Sequence, residues 1–269
     1  MDVPLPLDNP LRLFADYLAV TGVAHLGPEL YGDTALLGKR LGLLNGSSWI
    51  TLWCNYFGRL YLPGVQLVNA ANDAVQISFM QAYADGERCP PHRNIEVFVR
   101  AARDLVELAN VDAILITCST MNRSFKSVAQ AVAVPVVQID EPMMEAAVNH
   151  GGRILVVATH GPTVGSTQSL LLETAQRLGM TVSCTGITLA DAWQRLAVGD
   201  VQGHNALLAE AIREVQAREE LGCVVLAQLS MSVFALHYPE AEAVFGVPVF
   251  TSGQTGFRRM REVLVAQAF

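Results

Sequence analysis

A single thiol, Cys118, closes the apolar run 112–118 and is followed at once by two hydroxyl residues, Ser119 and Thr120, in the stretch DAILITCSTMNRSF. A cysteine where a strand hands over to a helix faces N–H groups that favour the thiolate, and the adjoining hydroxyl and backbone donors make a nest suited to one carboxylate. The helix is expected to begin near Met121. An inert, buried filler is nevertheless the commoner fate of a strand-end cysteine, so the chemistry of Cys118 depends on what the rest of the chain places around it.

Neutral donors recur in two other stretches, Asn45, Ser47 and Ser48 in NGSSWIT and Thr159 and Thr163 in THGPTVGST. Taken singly, hydroxyls beside glycine more often serve turns and helix caps than ligands. The five cysteines (Cys54, Cys89, Cys118, Cys184, Cys223) form no CxxC pair and no CxxC/HxxxH set, so neither zinc nor a disulfide framework is signalled. The loop with Thr163 and Thr167 lacks the GK[ST] of a phosphate loop, and no GxGxxG follows a strand, so no metal and no nucleotide cofactor is expected. Of the histidines (His25, His92, His150, His160, His204, His237), only His160 falls in a strand-end loop, where a solvated side chain is the usual case. Glu141, before Pro142, reads as a structural cap.

These residues need a frame, and the hydrophobic pattern supplies one. Eight strand-length runs, at 40–45, 65–70, 112–118, 134–139, 153–159, 181–187, 223–228 and 247–252, alternate with helix-period segments at 94–109, 166–179 and 203–222. This is an α/β pattern of βαβ units with parallel sheets. The runs fall into two sets of four: Asn45 and Thr159 end corresponding strands 114 positions apart, and Cys118 and Gln228 end another pair 110 apart. Near-equal offsets predict a duplicated unit. The expected organisation is a first domain over 1–141 with an N-terminal extension at 1–38, a second over 142–252, and a closing helix at 253–269 packed back on the first. Ligands sit outside the carboxyl ends of parallel strands, so the strand-end loops of both halves should line one interdomain cleft.

With 18 Lys+Arg against 25 Asp+Glu, a net charge of −7, the chain has no basis for a positive face, which argues against nucleic-acid and anionic-membrane partners. No apolar run approaches the roughly 18–20 residues of a membrane span, and the N-terminus lacks the pattern of a signal peptide. A cytoplasmic protein that takes a small molecule is expected, with the apolar segment LRLFADYLAV (11–20) as a candidate subunit contact or a cover for the first domain.

Taken together, these pieces resemble the aspartate/glutamate racemase superfamily over most of residues 39–265. GLLNGSSWIT (42–51) is similar to its opening strand and turn, VDAILITCSTMNRSF (111–125) to its first catalytic segment, and GRILVVATHGPTVGST (152–167) to the strand that opens its second domain. The resemblance implies two pseudo-symmetric four-stranded parallel-sheet domains and cofactor-independent proton transfer at the carbon next to a carboxylate. Cys118 corresponds to the first of the family's two cysteines and Asn122 to a family histidine. The second cysteine position is held by Gln228, followed by Leu229 and Ser230, and Cys223 lies five residues too early to replace it.

Cys118 and Gln228 are thus the catalytic candidates, and Asn45, Ser47, Ser119, Thr120, Asn122, Thr159, Thr163 and Ser230 the candidates around the substrate. An amino-free carboxylate and a racemase or isomerase working with one thiol are expected. A one-base decarboxylase of a malonate-like acid and a non-catalytic carboxylate-binding protein are the alternatives. The family's habit predicts a homo-oligomer.

Overall fold

The computed structural model describes residues 10–21 and 32–267. Residues 1–9 and 22–31 of the extension, His25 among them, and residues 268–269 lie outside the described residues.

Eight strands form two four-stranded parallel sheets. In the first, β1 (Arg40–Asn45), β2 (Gln66–Ala71), β3 (Ala113–Ile116) and β4 (Val136–Gln138) run in the order β2-β1-β3-β4; in the second, β5 (Arg153–Ala158), β6 (Ser183–Thr188), β7 (Cys223–Leu226) and β8 (Val249–Thr251) run in the order β6-β5-β7-β8. The central strands β3 (AILI) and β7 (CVVL) are buried on both faces, as unbroken apolar runs in a parallel sheet must be. Side chains alternate across each sheet. Leu41, Leu43 and Leu115 pack on one face of the first sheet, and Leu44, Ile114 and Ile116 on the other. Ile154, Val156 and Val225 oppose Leu155, Val157 and Val224 in the second.

The two halves pair their strands in the same register. Leu41 pairs with Ala113 and Leu44 with Ile116, as Ile154 pairs with Cys223 and Val157 with Leu226. That register corrects the sequence alignment at the first strand by one place: Asn45 matches Ala158, and Gly46, not Asn45, matches Thr159.

Several elements differ from the expectation. The helix after Cys118 begins as a 3-10 turn, Ser119–Ser124, and becomes α-helical only at Phe125–Ala131. The segment that leads from the first half to the second is a helix, Glu141–His150, with Glu141 at its first position. Thr163 and Thr167 lie in the helix Gly161–Arg177 rather than in a loop, because Pro162 stands at its first turn, where proline is tolerated. The final helix, Ser252–Ala266, sends Phe257, Met260 and Leu264 into the core of the first half. A Cβ on Gly256 would fall 2.4 Å from Ile139 Cγ1, so this close approach depends on glycine. The helix Pro10–Thr21 lies against Thr51–Tyr61, with Leu11, Phe14 and Tyr17 still exposed. Among the described residues no helix is long and apolar enough to cross a membrane, and no cluster of His, Cys, Asp and Glu could hold a metal ion.

Candidate active site

Strand-end loops from both sheets line one cavity of about 310 Å³. Its first wall is the segment Thr117–Thr120. Cys118 ends the run from β3 in extended conformation, and its carbonyl accepts the N–H of Met121 at 2.9 Å, which opens the 3-10 turn. The sulfur lies 3.1 Å from Thr120 Oγ1. Its environment works in two directions. Burial pushes the thiol pKa up and is the largest influence, while the Thr120 hydroxyl and the N–H groups of Met121, Thr120 and Gly46 draw it down. The net shift is upward. The donors expected from the sequence are present, but desolvation outweighs them, and the thiol rests protonated rather than as the favoured thiolate.

Gly46 is part of this arrangement, although the sequence reading passed over it. A Cβ there would stand 2.5 Å from Cys118 Sγ, so only glycine lets the chain after β1 pass the sulfur.

Gln228 faces the cavity from the second half, with Leu229 and Ser230 beside it. Its Oε1 accepts from Thr159 N at 2.7 Å and from Thr159 Oγ1 at 2.9 Å. Two donors on one oxygen fix the amide's orientation and leave the NH2 group as the end available to a ligand. Gln228 is therefore a fixed hydrogen-bond donor that cannot titrate.

Of the ten residues singled out from sequence, Cys118, Gln228, Ser47, Ser119, Thr120 and Ser230 line the cavity. The other four stand behind its wall. Asn45 is buried, donating to Asn69 Oδ1 at 3.1 Å and accepting from Thr117 Oγ1 and from Cys54 Sγ. Thr159 is spent on Gln228. Asn122 Oδ1 accepts from Ser166 Oγ at 3.1 Å, joining the first half to the helix Gly161–Arg177. Thr163 is wholly buried at that helix's first turn. Strand-end position brought these residues near the cavity, but their side chains turn inward.

Gln76, Met80 and Trp193 reach the lining from helices that carry no strand-end loop, while Trp49 comes from the stretch after the first strand, where the cleft was expected. His160, expected to be solvated, instead lines the cavity beside Trp193 at a ring separation of 5.0 Å, and burial lowers its pKa so that it rests neutral. Among the described residues, Cys118 and His160 are the two titratable side chains on the cavity wall, one from each half, and no Asp, Glu, Lys or Arg lines it. Behind Ser119 lies one more group the sequence reading missed. Asp140 is buried, and burial pushes its carboxyl up to about 7 against the opposing pull of the Ser119 and Ser252 hydroxyls.

The remaining candidates are structural. Glu141 accepts from Arg177 at 3.1 Å. Cys223 opens β7, where burial pushes its thiol up to about 12.

A sequence profile described as Asp/Glu/Hydantoin racemase matches residues 68–260. No curated protein sequence matches significantly. Solved structures share the fold at low identity. Aspartate racemase of Picrophilus torridus is 14% identical with a TM-score of 0.63, covering 86% of this chain and 94% of that one. A glutamate racemase of Bacillus anthracis is 15% identical with a TM-score of 0.62, covering 86% and 83%. Allantoin racemase of Klebsiella pneumoniae is 17% identical with a TM-score of 0.59, covering 86% and 89%.

Proposed function

Because the chain belongs to the Asp/Glu/hydantoin racemase family, which its match over residues 68–260 establishes, we propose that it is a cofactor-independent racemase or isomerase moving a proton at the carbon next to a carboxylate, with Cys118 as its single reacting thiol. The observation that carries this reading is the pair of titratable groups on the cavity wall, Cys118 from the first half and His160 from the second.

Burial drives the two pKa values apart, the thiol up and the imidazole down, so both groups rest uncharged near neutral pH. In that state His160 is a base and Cys118 an acid. The imidazole takes the α-proton from one face, the C–H electron pair passes into the carboxylate as an enediolate, and the thiol returns a proton to the other face. The products are the inverted acid, a thiolate and an imidazolium, from which the reverse reaction starts. This supplies the second acid–base group that Gln228 cannot be. Charge growing on the carboxylate oxygens meets Ser119, Thr120 and the Gln228 NH2 group, each well-placed donor contributing about 3–4 kcal/mol. The substrate is a small carboxylate, and no cofactor or metal takes part.

A second reading draws on the protonated thiol itself. In a decarboxylase of a malonate-like acid, loss of carbon dioxide leaves the enediolate, Cys118 protonates it, and the thiolate recovers its proton from water. His160 has no required part there.

Proton NMR in deuterated water tests both, with amino, hydroxy, keto, malonyl and unsaturated acids against the intact protein, Cys118→Ala and His160→Gln. Deuterium uptake that fails in both variants, by about 10²-fold or more, supports the two-group reaction. Uptake with loss of a carboxyl group that survives in His160→Gln supports the decarboxylase. No change in any acid would sink both and leave a carboxylate-binding protein.

A further inference from the structure

The cavity divides into two chemically distinct parts. One is hydroxyls, amides and the thiol; the other is rings and the Met80 thioether. Trp193, in the helix Ala190–Ala197, lies 5.4 Å from Trp49, in the 3-10 turn Ser48–Ile50, and 5.0 Å from His160, with the rings tilted by 55° and 58°. Met80 and Ile50 also line the cavity. The three rings come from both halves, so this wall exists only when the two sheets stand together.

Two features decide what such a wall can take. Among the described residues no charged side chain lines the cavity, so a second carboxylate or an ammonium would lose its hydration without gaining a partner. The rings touch one another at ordinary aromatic separations, forming a continuous tilted surface instead of a box around a cation. We propose that Trp193, Trp49 and His160 form a docking wall for a flat apolar group, so that the substrate is an aryl-bearing acid with a single ionised group rather than an amino dicarboxylate. The position of its charged end rests on the proposed carboxylate site; the ring wall does not.

Binding, not turnover, tests this. Phenylacetate, indole-3-acetate, acetate, L-aspartate, trimethylglycine and benzyl alcohol are titrated calorimetrically into the intact protein, Cys118→Ala, Trp193→Ala and Trp49→Ala. The aryl acids should bind at least about tenfold tighter than acetate and L-aspartate, in Cys118→Ala as in the intact protein. Trp193→Ala should erase that margin without weakening acetate. Trp49, 41% exposed, can be truncated with little lost packing, so Trp49→Ala gives the same readout if the first variant fails to fold. Benzyl alcohol binding as tightly as phenylacetate would support the ring wall while defeating the carboxylate site. L-Aspartate or trimethylglycine binding as tightly as the aryl acids, a margin that survives both tryptophan variants, or no aryl ligand binding at all would overturn the proposal.

Discussion

Cys118 and Gln228 occupy the same place in the two halves of the fold. Each heads a 3-10 turn, each carbonyl accepts the N–H three residues on at 2.9 Å, and each side chain receives the backbone N–H that follows the neighbouring strand, Gly46 for the sulfur and Thr159 for the amide oxygen. The duplicated backbone thus presents one protonated thiol and one inert donor at symmetric positions. The second titratable group has moved to His160, the structural counterpart of Ser47. Both residues precede a helical turn, and both line the cavity.

Gln228 is expected to tolerate a change of charge structurally but not functionally. In Gln228→Glu a carboxylate oxygen still accepts both Thr159 donors, so the melting temperature should stay near that of the intact protein. The new negative charge faces the substrate's own carboxylate, and KM for the acid found by NMR should rise about tenfold or more. Gln228→Ala leaves the buried Thr159 N–H and hydroxyl without acceptors and should cost about 1–3 kcal/mol of stability. A KM unchanged in Gln228→Glu would remove Gln228 from the binding wall.

Gly46 is predicted to be as necessary as Cys118. In Gly46→Ala the new methyl would meet the sulfur at 2.5 Å, displacing it from Thr120. Overpacking of this kind costs about 1–3 kcal/mol, and a misplaced reacting atom about 10²-fold in rate. Chemical denaturation and turnover measured together check both parts. Turnover at the intact level would mean that the thiol has room the close approach denies it.

Much of this was legible in the chain. The central strands stand out as apolar runs, because buried parallel strands carry no polar face to break the pattern. The strand-end rule then located the wall formed by Cys118, Ser119, Thr120, Gln228 and Ser230. Side-chain direction was not legible: a residue at the end of a strand turns either outward or, like Asn45 and Thr159, back into the hydrogen bonding of the wall. Nor was the helix Asp73–Ala84, which carries Gln76 and Met80 to the cavity. Its apolar residues are spread around it, Val75 and Phe79 buried and Ile77 exposed on the opposite face, so no amphipathic period marks it. His160 had a signal, its place directly after the run 153–159, but one histidine in one loop carries no weight until Trp193 is seen against it.

The pH dependence of alkylation follows from the buried thiol. Iodoacetamide should modify Cys118 with an inflection above the ordinary thiol range, since burial outweighs the surrounding donors. Thr120→Val removes the hydroxyl 3.1 Å from the sulfur, one of the influences that lower the pKa, and should move the inflection further up. Rates followed across pH by mass spectrometry of the Cys118 peptide check both. An inflection below the ordinary range would restore the thiolate expected from the sequence and reverse the roles assigned to Cys118 and His160.

Asp140 should set a stability limit on the alkaline side. Its folded pKa is raised from 3.8 to about 7 by burial, so between those values the folded protein holds a proton that the unfolded chain has released. The associated stability is fully present below the unfolded value and is lost as pH rises through the folded one, a change of a few kcal/mol at most. Asp140→Asn removes this dependence. Melting curves should show the variant close to the intact protein near the acid end of the window and more stable than it above about pH 7. A variant less stable at both ends would mean that the Asp140 carboxylate, near Ser119 and Ser252, holds the turn after Cys118 in its charged form.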